Sequence, residues 1–210
     1  MSEIKDLLPF LYEKLKLYSY EDKCSLEDSS FLLSFSGGMD SAVMASLMVD
    51  IHKIYNIKVG FAHINHNSHN QSAKAENLCS KFSNYNHIEY YCHELFFTTN
   101  RNFEALARKK RYEVLNNIAE RYSYNFILTA HHLDDQLETL LMKKKDGGDW
   151  ISKIGIRERL GKIRRPFLQK SKKELTMYGK GMDIKWVTDP TNTDITKRRN
   201  KIRHRELPQA

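Results

Sequence analysis

Two short segments of the chain gather residue types that could do chemistry together. The first is Ser36-Gly37-Gly38-Met39-Asp40-Ser41, set between the apolar runs 31–35 and 42–49. Glycines let a backbone turn tightly and bring its amides close to a ligand. A helix starting just after them adds unpaired donors and a positive dipole end. With the Ser36 and Ser41 hydroxyls, this makes a nest for an anion such as phosphate. An acid beside phosphates makes sense when it holds Mg2+, and Asp40 is placed for that. A plain turn capped by Ser and Asp would explain a lone "SGG", but not the longer "SGGMDS" after a buried strand. The spacing is that of neither a Walker A loop nor a Rossmann G-x-G-x-x-G, and neither serine is framed as G-x-S-x-G.

The second segment is "TAHHLDDQLET", from Thr129 to Thr139. His131, His132, Asp134 and Asp135 fall within five residues. They could bind a metal directly, or orient phosphates and protonate a leaving group. A helix beginning near Leu133 puts Asp134 and Glu138 on one face, and Asp135 and Thr139 on the next. Helix capping explains one acid here but not the doubled histidine. A third stretch, Asn102–Leu115, can turn Phe103, Leu106, Tyr112 and Leu115 to a core and leave Arg108 and Arg111 to anions. Alone it reads as an ordinary charged amphipathic helix. His63, His66 and His69 are spaced suggestively for a metal, yet histidines where a strand enters a loop are more often solvated or capping.

These segments need elements to hold them. Residues 31–36, 58–64, 87–95 and 125–130 read as buried strands, and 162–167 more weakly so. Helical patterns lie between and after them, at Met39–Tyr55, Gln71–Ser83, Asn102–Ser123 and Asp134–Lys145. Alternation at this spacing predicts an α/β, Rossmann-like parallel sheet of about five strands with helices on both faces. Ligands of such sheets bind beyond the C-terminal ends of the strands, where the first two segments would sit. The first twenty residues read as an amphipathic helix and not a signal peptide, since acids interrupt the apolar residues. Residues 143–150 read as a loop, and 169–182 as a short helix ended by glycine. One domain over 1–210 is expected: a lead-in over 1–28, an α/β core over 29–168, and a basic helix and tail over 169–210.

Composition narrows the function. Hydrophobic residues make up 40% of the 210, enough for a core, and no stretch is apolar enough to span a bilayer. Three separate cysteines argue against a disulfide framework or a cysteine zinc site, and point to a reducing cytoplasm. Charge is polarised. Residues 1–100 carry 8 Lys and Arg against 12 Asp and Glu; residues 101–210 carry 26 against 14. A phosphate-rich partner on the C-terminal half would account for this.

"SGGMDS" resembles the PP-loop signature of the adenine nucleotide α-hydrolase-like superfamily. That resemblance implies ATP cleaved between its α- and β-phosphates and AMP transferred to a substrate oxygen. "SGGMDS", "NFEALARKKRY", "TAHHLDDQLET", "RRPF" and "DPTNTD…RRNKIR", in this order, resemble the tRNA(Ile)-lysidine synthetases over about residues 30–208. The resemblance implies joining the ε-amine of free L-lysine to the wobble cytidine of a tRNA(Ile) with a CAU anticodon, through an adenylated intermediate. ATP and Mg2+ are implied as cofactors and a homodimer is compatible. By motif, Ser36, Gly37, Gly38, Asp40 and Ser41 form the pyrophosphate loop, with Met39 and His63 as further nucleotide-binding candidates. His131, His132, Asp134 and Asp135 line the reaction centre with Glu138 beside them; Asp40 and Asp135 are the candidate Mg2+ contacts. Arg108 faces the nucleotide or adenylated base, and Asp189, Asn192, Arg199, Asn200 and Arg203 lie near the cleft. Two places depart from the family pattern: Asn67, Ser68 and His69 stand for a usual Gly-Leu-Arg, and residues 143–150 replace an Arg-Gly segment. Further tRNA-binding domains, frequent in the family, are expected to be missing here.

Three rivals weigh less. A tRNA thiolase of the same superfamily generally needs paired cysteines, and Cys24, Cys79 and Cys92 are isolated. A metal-dependent phosphohydrolase leaves the glycine loop unexplained. An RNA-binding module explains the charge but neither Asp40 nor the histidine pair.

Overall fold

The first strand, β1 (Ser30–Ser34), is apolar on both sides because both sides are covered. In the computed structural model, which describes residues 7–65, 72–97, 103–147, 155–188 and Ile202, Phe31, Leu32 and Leu33 have no exposed surface. Phe31, Leu33 and Phe35 point into one core; Leu32, between them, points into another. Such continuous apolar runs are what a doubly covered parallel strand requires.

On the first face lie α1 (Leu7–Glu21), α2 (Met39–Tyr55), α3 (Ser72–Tyr85) and α6 (Lys172–Gly181). On the second, α4 (Phe103–Arg121) buries Leu115 and Ala119 against Leu32, Ala62 and Ile127. Strands β2 (Lys58–Asn65), β3 (Glu89–Glu94), β4 (Phe126–Leu128), β5 (Arg159–Leu160) and β6 (Ile163–Arg164) complete a sheet of order β3-β2-β1-β4-β6-β5. Helix α5 (Leu133–Lys145) follows β4. β1 pairs in parallel with β2 and β4, β2 with β3, and β4 with β6. The expected five parallel strands and the helices on both faces are therefore present.

The chain leaves β1 to one side for β2 and β3, then crosses back to β4 on the other side. That reversal makes a switch point between β1 and β4, and crevices at such points take ligands. The loop after β1 and the loop after β4 both open there.

Two strands differ from the sequence reading. β3 is mostly exposed instead of buried, because it is an edge strand paired only with β2. Its alternation still works: Tyr90 packs on the first core and Tyr91 on the second. The weak fifth strand is a two-residue β6 folded back on β5 as an antiparallel hairpin, turning at Gly161 with φ 55°. The sequence gives little sign of β5, since two residues carry no period. A 3-10 turn (Pro166–Gln169) follows, and Ser171 and Glu174 form a reciprocal cap that starts α6.

Helix α1 is more than cover. Leu7, Leu11, Leu15 and Tyr18 make its buried stripe. The Tyr18 hydroxyl, at 2.6 Å, and Lys14 Nζ, at 3.0 Å, both donate to Glu158, while Arg164 donates to Asp22 at 2.8 Å. Burial pushes the Glu158 carboxyl up, but the bonds from Tyr18 and Lys14 and the charges of Lys14 and Arg159 outweigh it and hold it below its usual range. A depressed carboxyl adds stability above its unfolded value and loses it as pH falls through the folded one. E158Q is therefore expected to lower stability at pH 7 by under about 1 kcal/mol, as the pair is partly exposed. In parallel urea titrations, the gap from the parent should close as pH drops below the ordinary glutamate value. A gap that persists in acid would mean Glu158 acts by packing alone.

Candidate active site

β1 is pinned before it becomes the loop. Phe35 N donates to Ala62 O at 2.8 Å, and the Phe35 carbonyl meets His63 Nδ1 at 2.9 Å and the Cys79 thiol at 3.4 Å. Burial pushes the His63 imidazole below its ordinary value, so it holds this strand end as a neutral ring. Gly37 then turns with φ 80°, the left-handed region that glycine enters freely. A Cβ there would sit 3.1 Å from the Ala75 Cβ and 3.2 Å from its carbonyl oxygen, and Val187 N donates to the Gly37 carbonyl at 2.9 Å. Gly37 is thus fixed by its backbone, packed between α3 and the segment after α6.

Gly38 is the N-cap of α2 and brings no side chain, so the first amides of the helix point out of its end. Ser41 Oγ donates to the Gly38 carbonyl at 2.9 Å and lies 3.0 Å from Ser36 Oγ. The two hydroxyls fold the loop onto the helix end and leave its concave side to the cleft. Met39 turns away into the core, its sulfur 4.0 Å from the Thr176 hydroxyl of α6.

β4 delivers the second segment to the same edge. His132, 1% exposed, sits among three carboxylates: Nε2 is 3.7 Å from Asp40 and 3.5 Å from Asp135, and Nδ1 is 3.6 Å from Asp134. Asp135 also accepts the His132 amide at 3.0 Å, a cap on α5. Asp134 accepts the Lys172 amide at 2.8 Å, which ties α5 to the start of α6. Glu138 is buried one turn further on. His131 projects differently, with Nδ1 3.0 Å from the Thr129 hydroxyl. Burial, partly opposed by Asp135 and reinforced by Arg165, Arg108 and Arg111, pushes its imidazole well down, so it is neutral at physiological pH.

Between these segments lies a cleft of about 240 Å³. Ser36, Gly38, Asp40 and Ser41 line it from the loop, Thr129, Ala130, His131 and Asp135 from the β4 side, and Arg108 and Arg111 from α4, with Ser34 at its base. Its loop and β4 sides bring the carboxylates of Asp40 and Asp135, and α4 brings two guanidinium groups. Of the residues expected from the sequence, Ser36, Gly38, Asp40, Ser41, Arg108, His131 and Asp135 face this cleft. Gly37, Met39, His63, His132, Asp134 and Glu138 stand behind it and shape it. His66, His69, Asp189, Asn192, Arg199, Asn200 and Arg203 lie outside the described residues. Thr129 and Arg165 were not singled out by sequence reasoning; the "RRPF" motif is the only signal that touches Arg165.

The residues at the cleft fit a Mg2+ ion bound with phosphates. Asp40 and Asp135 are two hard carboxylate donors on one side of a nest of hydroxyls and amides. Mg2+ is commonly held by one or two carboxylates plus substrate phosphates and water. Among the described residues no group of three or more His, Cys, Asp or Glu is placed to hold a metal alone.

The model of the PP-loop domain family matches residues 11–210. The chain belongs to the PP-loop domain family. Its ATP-binding character is consistent with the nest at the end of β1. Curated relatives named tRNA(Ile)-lysidine synthase include one from Buchnera aphidicola subsp. Acyrthosiphon pisum, 36% identical over 87% of this chain and 42% of its own length. Another, from Thermosipho africanus, is 30% identical over 96% of this chain and 48% of its own length. The chain thus spans less than half the length of these relatives. Among solved structures, the U34-tRNA thiolase of Methanococcus maripaludis superposes with a TM-score of 0.68 at 20% identity, over 86% of this chain and 67% of that one. The ammonia-dependent NAD synthetase of Campylobacter jejuni gives 0.57 at 15% identity, over 97% and 89%. At these identities the likeness is one of fold. No helix among the described residues is long and apolar enough to cross a membrane.

Proposed function

We propose that this PP-loop domain catalyses the ATP-dependent joining of lysine to the wobble cytidine of a CAU-anticodon tRNA(Ile). The observation that carries this is the convergence of the glycine loop, the His131–Asp135 rim and Arg108 on one cleft, in a chain whose relatives bear the lysidine synthase name.

The loop amides and the Ser36 and Ser41 hydroxyls bind the leaving phosphates of ATP. Asp40 and Asp135 would hold Mg2+, which when bound neutralises phosphate charge. The cytidine 2-oxygen attacks the α-phosphorus; an O–P bond forms and the bond to pyrophosphate breaks. Arg108 and Arg111 face the charge that builds on the phosphoryl oxygens, where preorganised donors act most strongly. The lysine ε-amine, deprotonated, then attacks carbon 2. A C–N bond forms, the C–O bond breaks, and AMP leaves. His131, neutral and anchored by Thr129, can hydrogen-bond there without adding charge. For the proton of the amine, His132, Asp134 and Glu138 are the candidate acceptors, His132 and Glu138 buried behind the rim and Asp134 partly exposed.

The test is AMP release from ATP with lysine and a CAU-anticodon tRNA, each omitted in turn. AMP formed only with that tRNA, together with lysine joined to it, is the expected result. AMP formation indifferent to the tRNA, or hydrolysis of simple phosphate esters with added metal, would overturn the reading.

A further inference from the structure

The cationic wall of the cleft raises a physical problem. Arg108 and Arg111 both line it, and Arg165, 2% exposed, lies just behind them on the strand side. Like charges crowded in a dry setting repel, and a buried guanidinium is costly unless something offsets it. Among the described residues no salt bridge joins these three to a carboxylate. The Nε atoms of Arg111 and Arg165 are buried without a hydrogen-bond partner.

Tyr112 stands at the centre of the three. The guanidinium carbons of Arg108 and of Arg111 each lie 5.4 Å from its ring centroid. Its hydroxyl accepts from Arg165 Nη2 at 3.2 Å. Arg165 is itself locked: Nη1 donates to the Arg157 carbonyl, and its amide donates to the Glu158 carbonyl at 3.0 Å. Arg157 and Glu158 lead into the β5–β6 hairpin, which α1 clamps through Tyr18 and Lys14. A continuous set of contacts therefore runs from α1, through Glu158 and Arg165, to the phenol between the two cleft arginines. A ring face attracts cations, and a planar guanidinium stacks on it in a defined orientation.

We propose that Tyr112 is a positioning residue: its ring aims Arg108 and Arg111 into the cleft toward the phosphates of ATP, and Arg165 fixes the phenol that does so. This rests on the ATP-binding reading of the cleft. It does not depend on what the activated phosphate is passed to. Tyr112 touches no ligand in this scheme; it acts through its two arginine neighbours. A ring that served only to fill the core would be replaceable by any apolar side chain of similar bulk.

The experiment measures ATP–Mg2+ affinity by titration calorimetry, and the melting temperature without ATP, for the parent, Y112F, Y112L and R165K. Y112F keeps the ring and loses the hydroxyl that Arg165 holds; about a threefold weaker affinity is expected. Y112L loses the ring, and affinity should fall about tenfold or more. R165K should resemble Y112F, because a lysine lacks the fork that reaches both the Arg157 carbonyl and the phenol. Recovery of most of the affinity in Y112F relative to Y112L separates aiming from bulk. Affinities within twofold of the parent in both tyrosine variants, whatever happens to melting temperature, would overturn the proposal. If Y112L does not fold, Y112F and R165K decide it: parent-like affinity in both overturns it. A parent that binds ATP yet never joins lysine to tRNA would refute the proposed reaction and leave this inference standing. Parent-like binding in the variants with lysine transfer intact would do the reverse.

Discussion

D40N is expected to cut AMP formation from ATP by at least a hundredfold while leaving the fold intact. Asp40 lies in the first turn of α2 and lines the cleft beside Ser36, Gly38 and Ser41. Its role in stability is small: an acid in a helix's first turn is favoured by the dipole by about 0.3–1 kcal/mol. Its role in chemistry is large if it carries the metal that neutralises the phosphates, since losing one such electrostatic contact typically costs about 10²–10³ in rate. Asparagine keeps the volume and one oxygen but drops the charge. Two readouts separate these effects. The unfolding midpoint in urea should move little, and the Mg2+ concentration that half-saturates AMP formation should rise. AMP release at the parent rate would remove Asp40 from the site and leave the glycine loop as a mere turn.

The layout of the site was open to sequence reasoning to the extent that it depends on order along the chain. A buried strand ending in "SGGMDS" and another ending in "TAHHLDD" had to reach the same edge if the sheet was parallel, and they do. The apolar runs of β1 and β2 were readable because both faces of each are buried. What could not be read was which side of each element a polar group would face. His132 and His131 are neighbours, yet one is enclosed by carboxylates and the other meets the cleft, because the chain turns at the cap of α5 between them. The helical period does put Asp134 and Asp135 on different faces, but not which of them meets the cleft: one binds the start of α6, the other lines the cleft. His63 read as a nucleotide-binding candidate, but pairing with β1 turns its ring onto the Phe35 carbonyl. Arg165 was hidden for a different reason. Its position depends on the β5–β6 hairpin, whose two-residue strands carry no period, and on α1, which meets Glu158 from 140 residues away, a contact no local pattern records.

The same enclosure makes His132 the residue whose loss should be felt in both stability and rate. Its ring is the shared neighbour of Asp40, Asp134 and Asp135, all within 3.7 Å of one or other nitrogen. An imidazole there can donate to one carboxylate and screen the others from each other. Leucine fills similar space but supplies no donor, so three acids are left facing an apolar group. The carboxylates keep some contact with solvent, so leaving them without this donor costs about 1–3 kcal/mol. H132L is therefore expected to lose about 2 kcal/mol in urea unfolding at pH 7. The AMP-forming rate should fall by at least tenfold even in the folded fraction, since Asp40 and Asp135 would no longer be held at their present places along the cleft. H132Q should recover part of both, because its amide restores one donor. If H132L loses stability but turns over at the parent rate per folded molecule, the histidine is a structural rivet and the carboxylates hold their positions without it. If the rate falls and stability does not, the ring acts on the reaction itself, and the proton of the lysine amine is the first place to look for it.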